Sequence, residues 1–179
     1  MQIRSATNAD AEAIRKLVFA VLDEYGLKAC HEGVDADLED IEANYIARGG
    51  LFEVLEDDYG EIFGSVGLYP KSDGVVELRK MYLAKSARRA GLGKMMLDRM
   101  YCRACELGFR RIELETSSRL LEAIALYTRF GFRPFQAPHL TTRCDQAWAM
   151  DLPPLPAGSS DDQQKGGQDT AAVRKRRST

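Results

Sequence analysis

The 179-residue sequence lacks any apolar run near the roughly 18 residues that a membrane-spanning helix needs. It also lacks a charge excess of either sign, because 25 Lys and Arg stand against 27 Asp and Glu, a formal net charge of −2. This balance argues against nucleic acid as a main partner, since nucleic acids are bound by strongly basic surfaces. The first residues lack the apolar core of a secretion signal, so we expect a cytoplasmic protein with no membrane partner.

Histidine and cysteine are scarce, which limits metal and redox chemistry. The chain has two histidines and four cysteines. Cys102 and Cys105 form a C-x-x-C pair, but no second pair is present to complete a zinc site. Both fall within a helical pattern, and we interpret them as small residues of a helix. No metal is expected.

The sequence has enough apolar residues for one domain, followed by a segment of different composition. Hydrophobic residues make up 45% of the chain, which suits a globular core. From Pro153 onward Pro, Gly, Ser, Asp and Gln dominate, and the chain nears its end in the basic cluster 174–177. The pattern predicts a domain over 1–152 and a disordered tail over 153–179. We interpret the basic cluster as a solvated terminus, and a contact for an anionic partner is the alternative.

Apolar periodicity predicts that helices and strands alternate in a mixed α/β domain. After a short strand over 2–6, a helix with apolar residues at helical spacing is expected to end at Tyr25-Gly26. A second short helix is predicted over 36–48. Three further strands are joined by turns at 57–60 and 70–74, which predicts an antiparallel arm. These strands are expected at 51–56, 61–69 and 75–83.

The second half of the pattern predicts a parallel crossover. A helix over 92–107 separates the strand ending at Leu83 from a strand over 110–116, and parallel neighbours need such a connection. A helix over 120–130 and two final strands complete the pattern. The final strands are expected at 132–136 and 144–152.

A basic glycine-rich turn between strand and helix is the most informative motif. It reads Arg88-Arg89-Ala90-Gly91-Leu92-Gly93-Lys94. Glycines let the backbone approach a phosphate closely, and the N–H groups and dipole of a helix N-terminus favour negative charge. Cations at a helix N-terminus oppose that dipole unless an anion binds there. The turn therefore predicts a pyrophosphate-binding site.

A second motif, Ala123-Ile-Ala-Leu-Tyr-Thr-Arg-Phe-Gly-Phe132, follows the next strand. The order strand, Arg-x-x-Gly-x-Gly, helix, strand and Ala-Ile-x-Leu-Tyr closely resembles the GCN5-related N-acetyltransferase (GNAT) superfamily. The resemblance covers about residues 1–151 and is most specific from Glu77 to Phe132. It implies the GNAT fold: a mixed central sheet with an antiparallel N-terminal arm, a parallel strand–helix–strand core and flanking helices. It also implies acetyl-CoA as cosubstrate and direct attack by a primary amine in a ternary complex.

The resemblance assigns acetyl-CoA binding to two segments. Backbone N–H groups of Arg89, Ala90, Gly91, Leu92, Gly93 and Lys94 would bind the pyrophosphate, and Arg88 fills the position that opens the family motif. Arg88, Arg89 and Lys94 would add positive charge there. At the end of the preceding strand, Met81, Tyr82 and Leu83 would pair with the pantetheine arm through their backbone, and an N–H there would meet the thioester oxygen.

Two side chains are the candidate catalytic groups. Some GNAT branches use a glutamate at the position of Glu77 as base, and strand alternation predicts that Glu77, Arg79, Met81 and Leu83 share one face. The alternatives for Glu77 are a structural ion pair or a contact to the substrate ammonium. Tyr127, the tyrosine of the second motif, would return a proton to the departing thiolate. Its alternative is a purely structural core aromatic.

The acceptor is left open by the sequence. One departure from the family is Leu120, where many members carry an asparagine that contacts the carrier; Ser117, Ser118 or Arg119 could substitute. Acidic residues near the first helices suit a cationic amine, whereas Arg79 or Arg143 would suit a carboxylate. The residues considered for acceptor selection are Tyr25, His31, Glu32, Asp35, Asp37, His139, Thr142 and Arg143.

We favour a small amine of amino-acid-like or polyamine-like character as the acceptor. A protein lysine or N-terminus, and a noncatalytic acyl-CoA-binding module, are the alternatives. A homodimer is left open.

Overall fold

Seven strands form one mixed sheet in the computed structural model, which describes residues 1–154. The strand order is β1-β2-β3-β4-β5-β7-β6, and within the described residues only β4 and β5 pair in parallel. This confirms the predicted mixed α/β class. The strands are β1 Gln2–Ser5, β2 Leu51–Glu56, β3 Ile62–Ser72, β4 Val75–Leu83, β5 Arg111–Thr116, β6 Arg133–Phe135 and β7 Gln146–Asp151. The helices are α1 Ala11–Glu24, α2 Leu92–Glu106 and α3 Leu121–Phe130.

A hydrophobic cluster lies on each face of the sheet. On one face α1 packs its buried stripe, including Ile14, Val18 and Leu22, against Phe52 and Val54 of β2. On the other face α2 packs Met96, Leu97 and Met100 against residues of β3, β4 and β5. Leu152, just past β7, is buried in this second cluster, so the folded core includes the last residue of the predicted domain. The predicted tail from residue 155 on lies outside the described residues.

The predicted helix over 36–48 is wrong, because the segment breaks into a 3-10 turn at Ala36–Leu38 and one π turn at Glu42–Ile46. The Asp40 carboxylate accepts a hydrogen bond from the Ala43 N–H at 2.9 Å. A side chain that bonds its own backbone in this way starts a new turn and interrupts a continuous helix.

The predicted turn over 70–74 is shorter than expected. Strand β3 continues through Pro70 to Ser72, and a register shift between these two residues accommodates the proline within the antiparallel pair. Only Asp73 and Gly74 remain in the turn, and Gly74 has φ +73°.

The parallel pair β4–β5 separates early, and this separation positions the site. Pairing covers only Val75–Glu77 of β4 against Arg111–Glu113 of β5. Beyond it, β5 stays paired with β7 as far as Thr116, while β4 stays paired with β3 as far as Leu83. The strands therefore splay apart, and no strand of residues 1–154 pairs with that side of β4 from Leu78 onward. Within residues 1–154, no helix is long and apolar enough to cross a membrane.

Candidate active site

A cavity of about 890 Å³ opens from the splay between β4 and β5. At one end it is lined by the glycine-rich turn, and in the middle by Met81, Leu83 and Tyr127. At the other end polar side chains surround it: Glu77, Arg79, Glu115, Thr141 and Arg143. The structure thus places the predicted carrier turn, strand end, base and acid around one cavity.

The glycine-rich turn has the backbone geometry of an anion cradle. Gly91 caps α2 with φ +79°, and Arg89 is also left-handed with φ +66°. Within the described residues, the N–H groups from Arg89 to Lys94 donate to no protein acceptor; the helical ladder begins with Met95 N–H to Gly91 O at 3.1 Å. Six successive free donors at a helix N-terminus can bind a pyrophosphate.

The three cations of this turn have different surroundings. Arg89 is exposed and forms no ion pair within residues 1–154, and exposed Lys94 pairs only with Asp98 one helical turn on, at 2.7 Å. The Arg88 guanidinium points elsewhere: it donates to both Glu24 oxygens at 3.0 and 2.8 Å and to Leu83 O at 3.0 Å. The positive charge of Arg88, which was expected to bind phosphate, is thus paired with Glu24 of α1.

A β-bulge in β4 corrects the predicted side-chain alternation. Arg79 pairs with Gly67 but Tyr82 pairs with Ser65, so β4 has one extra residue, and Lys80 takes up the shift with φ +53°. The Lys80 carbonyl turns to accept a hydrogen bond from Ser65 Oγ at 2.8 Å. Glu77 and Arg79 therefore share their face with Tyr82, whereas Met81 and Leu83 lie on the α2 face; the predicted common face was wrong beyond the bulge.

Met81, Tyr82 and Leu83 lie where the sequence predicted them. These residues lie just after the bulge, in the part of β4 whose edge no longer pairs with β5. Unpaired strand groups facing a cleft can pair with an extended ligand. The Tyr82 side chain is half-buried, and desolvation raises its pKa to about 12.

Glu77 lies at the last paired position of β4 and is 6% exposed. Its Oε2 accepts a hydrogen bond from Arg79 Nη2 at 2.8 Å, and Arg79 also contacts Asp37 at 3.4 Å. The Arg79 guanidinium lies 3.8 Å from the centre of the Tyr69 ring, in cation–π contact. Arg79 thus fixes the Glu77 carboxylate at the point where β4 and β5 begin to separate.

A second carboxylate at this end, Glu115, was missed by sequence reasoning. Glu77 pairs in register with Glu113, so Glu115, two residues further along β5, lies on the same face as Glu77. Its Oε2 accepts only the Thr141 N–H, at 2.9 Å, among the described residues. A sequence signal for Glu115 was available: Glu113 and Glu115 alternate with apolar residues on the strand that was predicted to follow the parallel crossover.

Tyr127 reaches the cavity from α3 and is 7% exposed. Burial raises the pKa of its hydroxyl well above the ordinary value, and the nearby Tyr82 and Cys144 add to this shift. Its hydroxyl forms no hydrogen bond to another described residue. A protonated, unpartnered phenol beside the cleft is suited to donate a proton.

Two of the acidic residues proposed for acceptor binding, Asp35 and Asp37, are paired inside the protein. Asp35 accepts from Arg143 at 2.5 and 2.7 Å and from Lys80 Nζ at 2.6 Å. Asp37 accepts from the Tyr45 hydroxyl at 2.7 Å. Burial alone would raise the pKa of Asp35, but Arg143 and Lys80 outweigh burial and hold it well below its usual range.

The remaining residues of the acceptor and loop predictions are divided. Tyr25 and Arg143 line the cavity, whereas the exposed residues His31, Glu32, His139 and Thr142 are not part of its lining.

The loop residues considered as substitutes for the family asparagine bind other parts of the protein. The Ser118 hydroxyl donates to Asp145, and Arg119 donates to the Gly26 carbonyl at 2.8 Å. Leu120 lines the cavity at the position of the family asparagine, so apolar contact replaces an amide there. No cluster of three or more metal-ligating side chains occurs within residues 1–154.

Comparison with known proteins agrees with this geometry. The model of the Acetyltransferase (GNAT) family matches residues 18–132. The chain belongs to the GNAT acetyltransferase family. It is 36% identical over 135 residues to the uncharacterized N-acetyltransferase YjgM of Escherichia coli, covering 73% of this chain and 80% of that protein.

Solved structures share this GNAT fold. A GNAT-family acetyltransferase from Staphylococcus aureus superposes with a TM-score of 0.79 at 23% identity, covering 85% of this chain and 99% of that one. A phosphinothricin acetyltransferase from Sinorhizobium meliloti, solved in complex with AcCoA, gives a TM-score of 0.66 at 21% identity over 84% and 88% of the chains.

Proposed function

We propose that this GNAT N-acetyltransferase moves an acetyl group from acetyl-CoA to a small, cationic primary amine that carries no carboxylate near the reacting nitrogen. The observation that supports the acceptor class is the charge pairing at the inner end of the cavity. Arg79 and Arg143 are bound by Glu77 and Asp35, while Glu115 keeps an oxygen without a described partner. The residual charge available to a ligand there is negative, and it suits an ammonium group.

Acetyl-CoA use is supported by the turn and the splay. The six free N–H donors of residues 89–94, with exposed Arg89 and Lys94, suit the pyrophosphate. The unpaired edge of β4 past Glu77 offers main-chain partners for the pantetheine arm, and an N–H near the bulge can stabilise charge on the thioester oxygen.

The proposed reaction is direct transfer. The ammonium first loses one proton to a carboxylate, the neutral amine nitrogen attacks the acetyl carbon, and the carbon–sulfur bond breaks. Tyr127 gives its proton to the departing thiolate and regains one from the nitrogen as the amide forms. Glu77 is already bound to Arg79, so we assign proton acceptance to Glu115 and attraction of the ammonium to Glu77. Cys144 also lines the cavity, but burial raises the pKa of its thiol, which disfavours a covalent acetyl-cysteine route.

A matched pair of amines tests the acceptor class. Pentane-1,5-diamine and lysine differ by one carboxylate, thiol release from acetyl-CoA measures transfer to each, and mass spectrometry of the product shows whether lysine reacts at the α-nitrogen beside its carboxylate. We expect kcat/KM for the diamine to exceed that for lysine by at least about tenfold, since the carboxylate would face Glu77 and Glu115 without a free cation. Equal or better use of lysine, or a peptide amine that outperforms the diamine, would overturn this acceptor class.

A further inference from the structure

Arg88 links the phosphate turn to the end of α1. Its Nη1 and Nη2 donate to the two Glu24 carboxylate oxygens at 3.0 and 2.8 Å, which is a bidentate pair. The guanidinium also donates to the Tyr25 hydroxyl at 3.3 Å and lies 5.5 Å from the centre of its ring. Its Nε donates to Leu83 O at 3.0 Å, so one side chain joins β4, the turn and α1.

A second arginine holds the same end of α1 from the other arm of the splay. Arg119, in the β5–α3 loop, donates to Gly26 O at 2.8 Å and to Tyr25 O at 3.4 Å. Gly26 is left-handed, with φ +65°, and ends the helix. The end of α1 is thus attached to both sides of the cleft by cations.

The chain that leaves this end leads directly to the acceptor end of the cavity. We name residues 27–34 the acceptor segment. It follows residues 24–26, which contact Arg88 and Arg119, and it precedes Asp35, which binds Lys80 and Arg143 of the cavity lining. Lys80 Nζ also donates to the Val34 carbonyl at 2.7 Å. The segment is therefore held at both ends, and its first anchor belongs to the phosphate turn.

We infer that Arg88 is a positioning residue: it fixes the acceptor segment from the phosphate turn through Glu24, and Arg89 and Lys94 are the cations that bind the pyrophosphate. The inference rests on the acyl-CoA use proposed above. It divides two adjacent arginines of one motif between two tasks. Arg88 acts on acceptor binding, and Arg89 acts on carrier binding.

The test compares Arg88→Gln with its matched neighbour Arg89→Gln, using calorimetry with CoA. We expect Arg89→Gln to weaken CoA binding by about five- to tenfold, with a reduced dependence on salt, and Arg88→Gln to weaken it by less than about threefold. In steady-state kinetics with pentane-1,5-diamine, Arg88→Gln should raise the amine KM several-fold while the acetyl-CoA KM changes little.

Hydrogen exchange separates positioning from general destabilisation. Arg88→Gln and Glu24→Gln should each speed amide exchange in residues 26–38, and the double variant should add little to either single change. Exchange in α2 should stay as in the wild type. The reversed pair Arg88→Glu with Glu24→Arg should restore protection of the segment.

Each outcome bears on one claim. If Arg88→Gln weakens CoA binding as strongly as Arg89→Gln while Glu24→Gln has no effect on the segment, Arg88 is a phosphate ligand and the inference is overturned. If the wild-type protein binds no CoA at all, the proposed function fails instead. Faster exchange throughout the domain in Arg88→Gln would also overturn the positioning role.

Discussion

Arg79 donates a hydrogen bond from Nη2 to Oε2 of Glu77 at 2.8 Å, two residues apart on the same face of β4. The two side chains are 21% and 8% exposed, so water screens the pair weakly. A carboxylate held by a guanidinium has a fixed position and a neutralising partner. The pair fixes Glu77 in place, whereas Glu115 forms no ion pair with another described residue and accepts only the Thr141 N–H.

The first prediction separates the two carboxylates. Glu115→Gln should lower kcat by about 10²-fold, as loss of one acid–base group does. Glu77→Gln should mainly raise the amine KM, because it removes charge near the ammonium without removing the proton acceptor. Stopped-time assays of thiol release at varied amine concentration measure both.

Glu113→Gln is the control for this comparison. Glu113 lies on the same strand face but binds Lys71 and Arg111 and does not line the cavity, so its variant should keep the wild-type kcat and amine KM. A larger loss of kcat in Glu77→Gln than in Glu115→Gln would return the base role to Glu77, as the family resemblance suggested.

The second prediction concerns Tyr127. Tyr127→Phe should lower kcat by about 10²-fold with little change in CoA affinity, since it removes the proton donor and keeps the ring. Burial raises the pKa of Tyr127 above its ordinary value near 10, so the acid form persists at neutral pH and no basic limb below pH 10 should come from this residue. Unchanged kcat in Tyr127→Phe would leave Tyr127 a core aromatic.

Sequence reasoning reached the parts of the site that depend on local pattern. The glycine-rich turn was predictable because Gly91 and Gly93 follow an apolar strand and precede a helix, and α2 begins at Leu92 as predicted. The position of Tyr127 on α3 followed from the second motif. In both cases neighbouring residues alone determine the structure.

The remaining features depend on contacts between distant residues. The bulge at Lys80 depends on Ser65, fifteen positions earlier, and on Asp35, with which Lys80 forms a buried ion pair. No local sequence pattern indicates the bulge, because the residues around Lys80 are compatible with a regular strand. The partner of Arg88, Glu24, lies 64 residues away. The sequence neighbours of Arg88 predict a phosphate ligand and give no sign of this distant partner.

The third prediction tests Gly91, the left-handed glycine of the turn. Gly91→Ala should lower the free energy of unfolding by roughly 1–2 kcal/mol, because φ +79° is unfavourable for a residue with a Cβ. It should also weaken CoA binding, since relief of the strain redirects the N–H groups. Gly60→Ala is a matched control: Gly60 has φ +82°, has open space around its Cβ position, and lies outside the cavity lining. Equal loss of CoA affinity in both variants would contradict a specific role for Gly91.

The last prediction concerns Asp35, whose side chain is fully buried between Lys80 and Arg143. Asp35→Asn should lower the free energy of unfolding at pH 7 by about 3–5 kcal/mol, because it leaves buried cations without their counter-charge. The pKa of Asp35 is lower in the folded protein than its ordinary 3.8, so the stabilisation is present above about pH 4 and is lost as pH falls further. Urea unfolding of both proteins should therefore show a gap that narrows below pH 4. Asp98→Asn, at an exposed pair with Lys94, should change stability by less than about 1 kcal/mol. A gap that stays constant from pH 7 to pH 3 would show that packing around residue 35, and not its charge, holds the acceptor segment in place.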